Sequence, residues 1–172
     1  KRKGFDVLID AVAALKKRGI VVDLALLGEG ALADELREQA RALGIADQLQ
    51  LPGFVQDVGD WLKHATLYVL SSRIEGLPGT ILEAFAAGTP VVATRCPHGP
   101  EELLQEGKAG LLVPMDDASA MADAMQSLLE SPERRAEFAS AGRQRLVDFS
   151  ADRILPQWEA LISELVTPSR ST

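Results

Sequence analysis

Apolar residues return along this chain in two alternating rhythms. Phe5, Leu8, Ile9, Val12 and Leu15 recur at the spacing of one helix face, and Lys16, Lys17, Arg18 and Gly19 close that segment with cations and a glycine. Val21 to Leu27 is a compact apolar run with Asp23 as its only charge, the pattern of a buried parallel strand. Leu32 to Leu43 repeats the helical pattern and stops at Gly44, and a short strand over Gln48 to Leu51 ends at Pro52-Gly53. Trp61 and Leu62 predict a short helix, Leu67 to Leu70 a strand, and Thr80 to Ala87 a helix. Val91 to Ala93 follows as a strand, then a turn at Pro97-His98-Gly99-Pro100, a short helix over Glu101 to Gln105 and a strand over Gly110 to Val113. From Ser119 the chain is helical, with breaks near Ser131-Pro132 and Ser150. Its last helix carries one continuous apolar stripe of Ile154, Leu155, Trp158, Leu161, Ile162 and Leu165.

Strands that alternate with helices call for right-handed crossovers and a parallel sheet covered on both faces. The expected fold is therefore α/β, a Rossmann-like sheet with a helical C-terminal segment. In such a sheet, ligands bind beyond the carboxyl ends of the strands. Gly28-Glu29-Gly30, Gly53-Phe54, Glu75 to Thr80 and Cys96 to Gly99 all fall at those ends.

Composition narrows the class. A chain of 172 residues fits one domain, and although 47% of it is hydrophobic, no apolar run approaches the ~18 residues that span a bilayer. A net charge of -7 argues against a surface built for nucleic acid. The single cysteine, Cys96, excludes an internal disulfide and fits a reducing, cytoplasmic compartment. It has no histidine partner that would make it a nucleophile. No Asp-x-Asp or histidine cluster suggests a metal, and no cofactor is implied. The chain opens at Lys1 without a signal or transit pattern, so a fragment of a longer protein is expected.

The chemistry concentrates in Glu75-Gly76-Leu77-Pro78-Gly79-Thr80-Ile81-Leu82-Glu83. Gly76, Pro78 and Gly79 forbid one continuous helix, because a helix-interior proline costs about 3 kcal/mol and glycine about 1. Glu75 thus lies on a loop and Glu83 in the first turn of a helix starting near Thr80. Between them the backbone ends at a helix N-terminus, where free N–H groups and the macrodipole suit a phosphate. Two carboxylates flanking an anion cradle match the hydroxyls on both sides of a nucleotide sugar's diphosphate. A plainer role for Glu83 is also open. Thr80-Ile81-Leu82-Glu83 satisfies the capping box, in which Thr80 caps the helix and Glu83 reaches back.

The two glutamates, followed by Ala86-Ala87-Gly88-Thr89-Pro90-Val91-Val92-Ala93-Thr94, resemble the donor-site signature of the retaining GT-B glycosyltransferases of family 4. Lys3-Gly4-Phe5 resembles that family's Lys-Gly segment, and Leu27-Gly28-Glu29-Gly30 and Leu51-Pro52-Gly53-Phe54-Val55 resemble its next two strand ends. The resemblance implies a C-terminal donor-binding domain over residues 1–150, a bridging helix over 151–166 and a disordered tail over 167–172. It also implies an N-terminal acceptor domain, and a strand ending in Gly-Arg ahead of Lys3, neither of which this chain contains. Glu75 would face the transferred sugar as a catalytic residue, with Lys3 as a catalytic cation on the diphosphate. Glu83 would hold the ribose, while Gly76, Leu77, Gly79, Thr80, Ile81, Gly28, Gly30, Phe54 and Val55 would line the donor. His98, in a loop at the carboxyl edge, is a candidate substrate contact.

The implied partner is a nucleotide diphosphate sugar, expected to be a UDP-sugar, with a glycan or lipid-linked acceptor and peripheral membrane association of the full enzyme. Without the acceptor domain, the Trp158 stripe is expected to be partly exposed or covered by another copy of the chain. Two other functions stand beside this one. A nicotinamide-dependent oxidoreductase would use Gly28-Glu29-Gly30-Ala31-Leu32-Ala33 as its fingerprint, but the next strand ends in Gln50-Leu51-Pro52, without the required ribose acid. A non-catalytic binding module is the other.

Overall fold

The computed structural model describes residues 1–166. Eight α-helices and five strands are resolved among them: α1 Phe5–Lys17, β1 Leu24–Leu27, α2 Ala33–Ala42, β2 Leu49–Gly53, α3 Val58–His64, β3 Tyr68–Leu70, α4 Gly79–Ala87, β4 Val91–Thr94, α5 Pro100–Leu103, β5 Leu111–Val113, α6 Ala118–Leu129, α7 Pro132–Leu146 and α8 Ala151–Val166. All strand pairs are parallel. No helix among the described residues is long and apolar enough to cross a membrane.

The strands form two hydrogen-bonded sets rather than the single ladder expected. β1 pairs with β2, β4 lies between β3 and β5, and no ladder joins β1 to β3. One core nevertheless spans both sets. Leu26 of β1 packs in the same cluster as Val92 of β4, Val113 of β5, Leu8 and Val12 of α1, and Met121 of α6. Val91 and Ala93 point to the opposite face, against Ile81 and Phe85 of α4 and Leu103 of α5. The period-two alternation of β4 thus gives each face its own helical cover. On the second face α7 crosses α4 closely. A Cβ at Gly142 would stand 2.4 Å from the Phe85 ring, so only glycine permits that approach.

Two expectations need correction. The first strand is confined to Leu24–Leu27, with Leu26 buried and Val21 68% exposed. β1 has a partner on one side only, and the apolar run ahead of it finds no ladder to join. The second concerns Thr80, which does not cap α4. Pro78 occupies the N-cap position with no side-chain cap bond, and the helix begins at Gly79.

The apolar stripe of the last helix is left largely uncovered. None of α8 is buried; Trp158 is 58% exposed and Leu165 77%, and Ile154 alone is half-buried. Residues 167–172, the expected tail, lie outside the described residues.

Candidate functional site

Gly4 sets the site's geometry. Its φ of 63° is left-handed, and an added Cβ would fall 1.9 Å from the Ser71 carbonyl oxygen. Glycine therefore lets the segment before α1 lie directly on the end of β3. Polar contacts fasten it there. Ser71 Oγ donates to the Lys3 carbonyl at 2.8 Å, and Arg73 N–H to the Arg2 carbonyl at 2.8 Å. The Arg73 guanidinium adds the Lys1 carbonyl at 2.6 Å, both oxygens of Asp6 at 2.9 and 2.8 Å, and Asp116 Oδ1 at 2.6 Å. Those Arg73 hydrogen bonds are the chief reason the Asp6 carboxyl is held low against the opposing effect of burial.

This clamp brings Lys3 to Glu75. Lys3 Nζ and Ser72 Oγ donate to the same atom, Glu75 Oε1, at 2.7 and 2.6 Å. Oε2 has no hydrogen-bond partner among the described residues, so it can accept from a ligand. The Glu75 side chain is 10% exposed and that of Lys3 56%. Burial on its own would raise the Glu75 carboxyl. The Lys3 and Ser72 bonds, with the Lys3 and Arg2 charges, outweigh it and hold the group below the usual carboxylate range. Glu75 is a preset anion.

The loop then runs through Gly76 and Leu77, both exposed, to buried Pro78. At the start of α4 the N–H groups of Gly79 and Thr80 have no partner among the described residues. Ile81 is different. Its N–H bonds the Pro78 carbonyl at 2.9 Å and its side chain is fully buried, so it offers no free amide to a phosphate. The Thr80 hydroxyl accepts from Tyr68 Oη at 2.6 Å instead of capping. With no capping box, the plainer role for Glu83 falls away. Its carboxylate is exposed and lacks a hydrogen-bond or salt-bridge partner among the described residues.

On the other strand set, Gly28 and Gly53 take φ of 110° and 77°, and Gly28 N–H donates to the Gly53 carbonyl at 2.8 Å. Lys3, Gly28, Gly30 and Gly53 line one cavity of about 640 Å³, together with Leu26, Leu27 and Leu51. Phe54, just past β2, is 75% exposed, and Val55 is half-buried. His98 is exposed with a φ of 63°. Its neighbour Gly99 lies so close to the donor loop that a Cβ would stand 2.4 Å from Pro78 and 2.6 Å from the Gly76 carbonyl. Cys96 is buried; desolvation raises its thiol against a hydrogen bond involving Thr94, the opposite of an activated nucleophile.

Tyr68, Ser71, Ser72 and Arg73 join the site without having been expected there. All four belong to β3 or its carboxyl end. The Ser71-Ser72-Arg73 run, two residues before Glu75 and at the strand end where ligands gather in such sheets, is the available signal.

The family model described as "Glycosyl transferases group 1" matches residues 1–145. The lipopolysaccharide core biosynthesis glycosyltransferase LpsE of Rhizobium meliloti is 36% identical over 164 residues, covering 95% of this chain and 47% of that protein. The poly(ribitol-phosphate) alpha-N-acetylglucosaminyltransferase of Staphylococcus aureus is 27% identical over 157 residues, covering 91% of this chain and 32% of its own length. Among solved structures, Anabaena HepE in complex with UDP-glucose superposes with a TM-score of 0.85 at 26% identity, over 95% of this chain and 46% of that one. The chain thus spans about half or less of the proteins it matches. It belongs to the group 1 glycosyl transferases and carries one α/β lobe of their GT-B architecture.

Proposed function

We propose that this chain is the donor-binding half of a retaining glycosyltransferase that transfers a hexose-type sugar from a UDP-sugar to a glycan or lipid-linked acceptor. One observation carries this. A Lys3–Glu75 pair at 2.7 Å stands beside a helix start with free N–H groups, and an unpartnered Glu83 follows on the same helix. Lys3, more than half exposed, can turn from Glu75 to a diphosphate oxygen. The Gly79 and Thr80 N–H groups and the Thr80 hydroxyl add donors. These groups stabilise the charge that grows on the leaving diphosphate as the anomeric carbon becomes oxocarbenium-like. Glu75 Oε2 accepts from the sugar hydroxyls, and Glu83 from the ribose.

Support for the uridine nucleotide comes from relatives. HepE and the S. aureus TarM protein were both solved with UDP. A second domain, holding the acceptor, forms the other wall of the cleft and meets the exposed stripe of α8. The strand that family members place ahead of the Lys-Gly segment enters between β1 and β3 and joins the two sets. The full enzyme works in the cytoplasm.

Titrating UDP, GDP and NAD into the chain by calorimetry tests the assignment. UDP binding with no response to NAD is expected. NAD binding would overturn the donor-site assignment, and silence toward all three would leave a non-catalytic module. Transfer by this chain alone to any acceptor would refute the two-domain arrangement.

A further inference from the structure

Tyr68 belongs to β3, yet its hydroxyl reaches the first turn of α4 and lies 2.6 Å from Thr80 Oγ1. Its ring is anchored in the cluster formed by Leu70, Ile81, Ala84 and Phe85, so the hydroxyl is held by the sheet rather than by a loop. Thr80 itself is exposed beside the free N–H groups of the helix start.

We infer that Tyr68 is a positioning residue for the nucleotide: by donating to Thr80 Oγ1 it leaves the Thr80 proton free for a phosphate oxygen. The inference rests on the donor-site assignment above and adds to it the residue that orients one of its donors. A phenol is the stronger acid of the two hydroxyls, so it is the natural donor between them. Burial, with the charges of Glu75 and Glu83 adding to it and the Thr80 bond opposing, pushes the Tyr68 phenol up to about 12, so it stays protonated at neutral pH. A threonine without such a partner tends to turn its proton back onto a nearby backbone carbonyl. Tyr68 fills one lone pair of Thr80 Oγ1, which fixes the hydroxyl's orientation and leaves its proton to donate outward.

The test is a double-mutant cycle on UDP binding, using Tyr68→Phe, Thr80→Val and the pair, with thermal melting to confirm that each folds. Tyr68→Phe keeps the ring and should lower UDP affinity about threefold to tenfold, the range of one oriented hydrogen bond. Thr80→Val should cost at least as much, and the pair no more than Thr80→Val alone. A structural role for Tyr68 independent of Thr80 would give additive losses, and that result would overturn the inference. So would an unchanged affinity in Tyr68→Phe. Failure of the donor-site assignment is distinguishable, because the unsubstituted chain would then not bind UDP at all, and the inference would fall with it.

Discussion

Two carboxylates eight residues apart meet opposite fates in this molecule. Glu75 is fixed before any ligand arrives: it is 10% exposed, takes two hydrogen bonds on one oxygen and is held ionised by them. Glu83, on the first turns of α4, is exposed with nothing bonded to it among the described residues. One side of the site is built by the protein, and the other is left for the ligand to complete. Groups of the first kind are expected to register in folding stability as well as in binding. Those of the second kind should register in binding alone.

The largest effect should come from breaking the built side at its hinge. In Gly4→Ala the new methyl meets the Ser71 carbonyl at 1.9 Å with the backbone at a φ of 63°. Left-handed alanine costs roughly 1–2 kcal/mol and overpacking roughly 1–3. Urea denaturation should therefore show a loss of at least about 2 kcal/mol. Gly30→Ala, whose Cβ meets nothing within 4 Å, should cost far less.

On the open side, Glu83→Gln should lower UDP affinity roughly tenfold to a hundredfold, the loss of about 1.5–3 kcal/mol that attends a charge-assisted hydrogen bond. Its melting temperature should stay at that of the parent, because Glu83 caps nothing. A drop in melting temperature with unchanged affinity would reverse the comparison.

Acid should act on the built side. Asp6 and Glu75 have lowered pKa values in the folded state. Their stabilisation is thus fully present above the ordinary carboxylate pKa of about 4 and is lost as pH falls through the depressed folded values. Stability curves of Asp6→Asn and Glu75→Gln should be flatter than the parent's on the acid side, by about 1 kcal/mol or less per group, since both pairs touch solvent. The smallest effect should be Trp158→Ala, within about 0.5 kcal/mol in this chain because the side chain is 58% exposed.

The succession of helices and strands along the chain was legible in the sequence because periodicity and glycine turns are local signals. What escaped were relations between distant segments. The capping box at Thr80 through Glu83 failed because Pro78 takes the N-cap position with the helix beginning at Gly79, and Tyr68, 12 residues earlier on β3, bonds the Thr80 hydroxyl. Ile81 drops out as a phosphate ligand because a tight turn onto Pro78 uses its amide. The clamp of Ser71 and Arg73 on residues 1–6 joins positions about 70 apart, and no local pattern announces it. Confinement of the first strand to Leu24–Leu27 follows from the missing ladder on one side of β1.

The most direct test of the central claim is a calorimetric titration of UDP into the unsubstituted chain and into Glu83→Gln, side by side with their melting curves. The account predicts one UDP bound per chain, an affinity at least about tenfold weaker in Glu83→Gln, and superimposable melts. Equal affinities in the two proteins would contradict it, as would UDP failing to bind the unsubstituted chain.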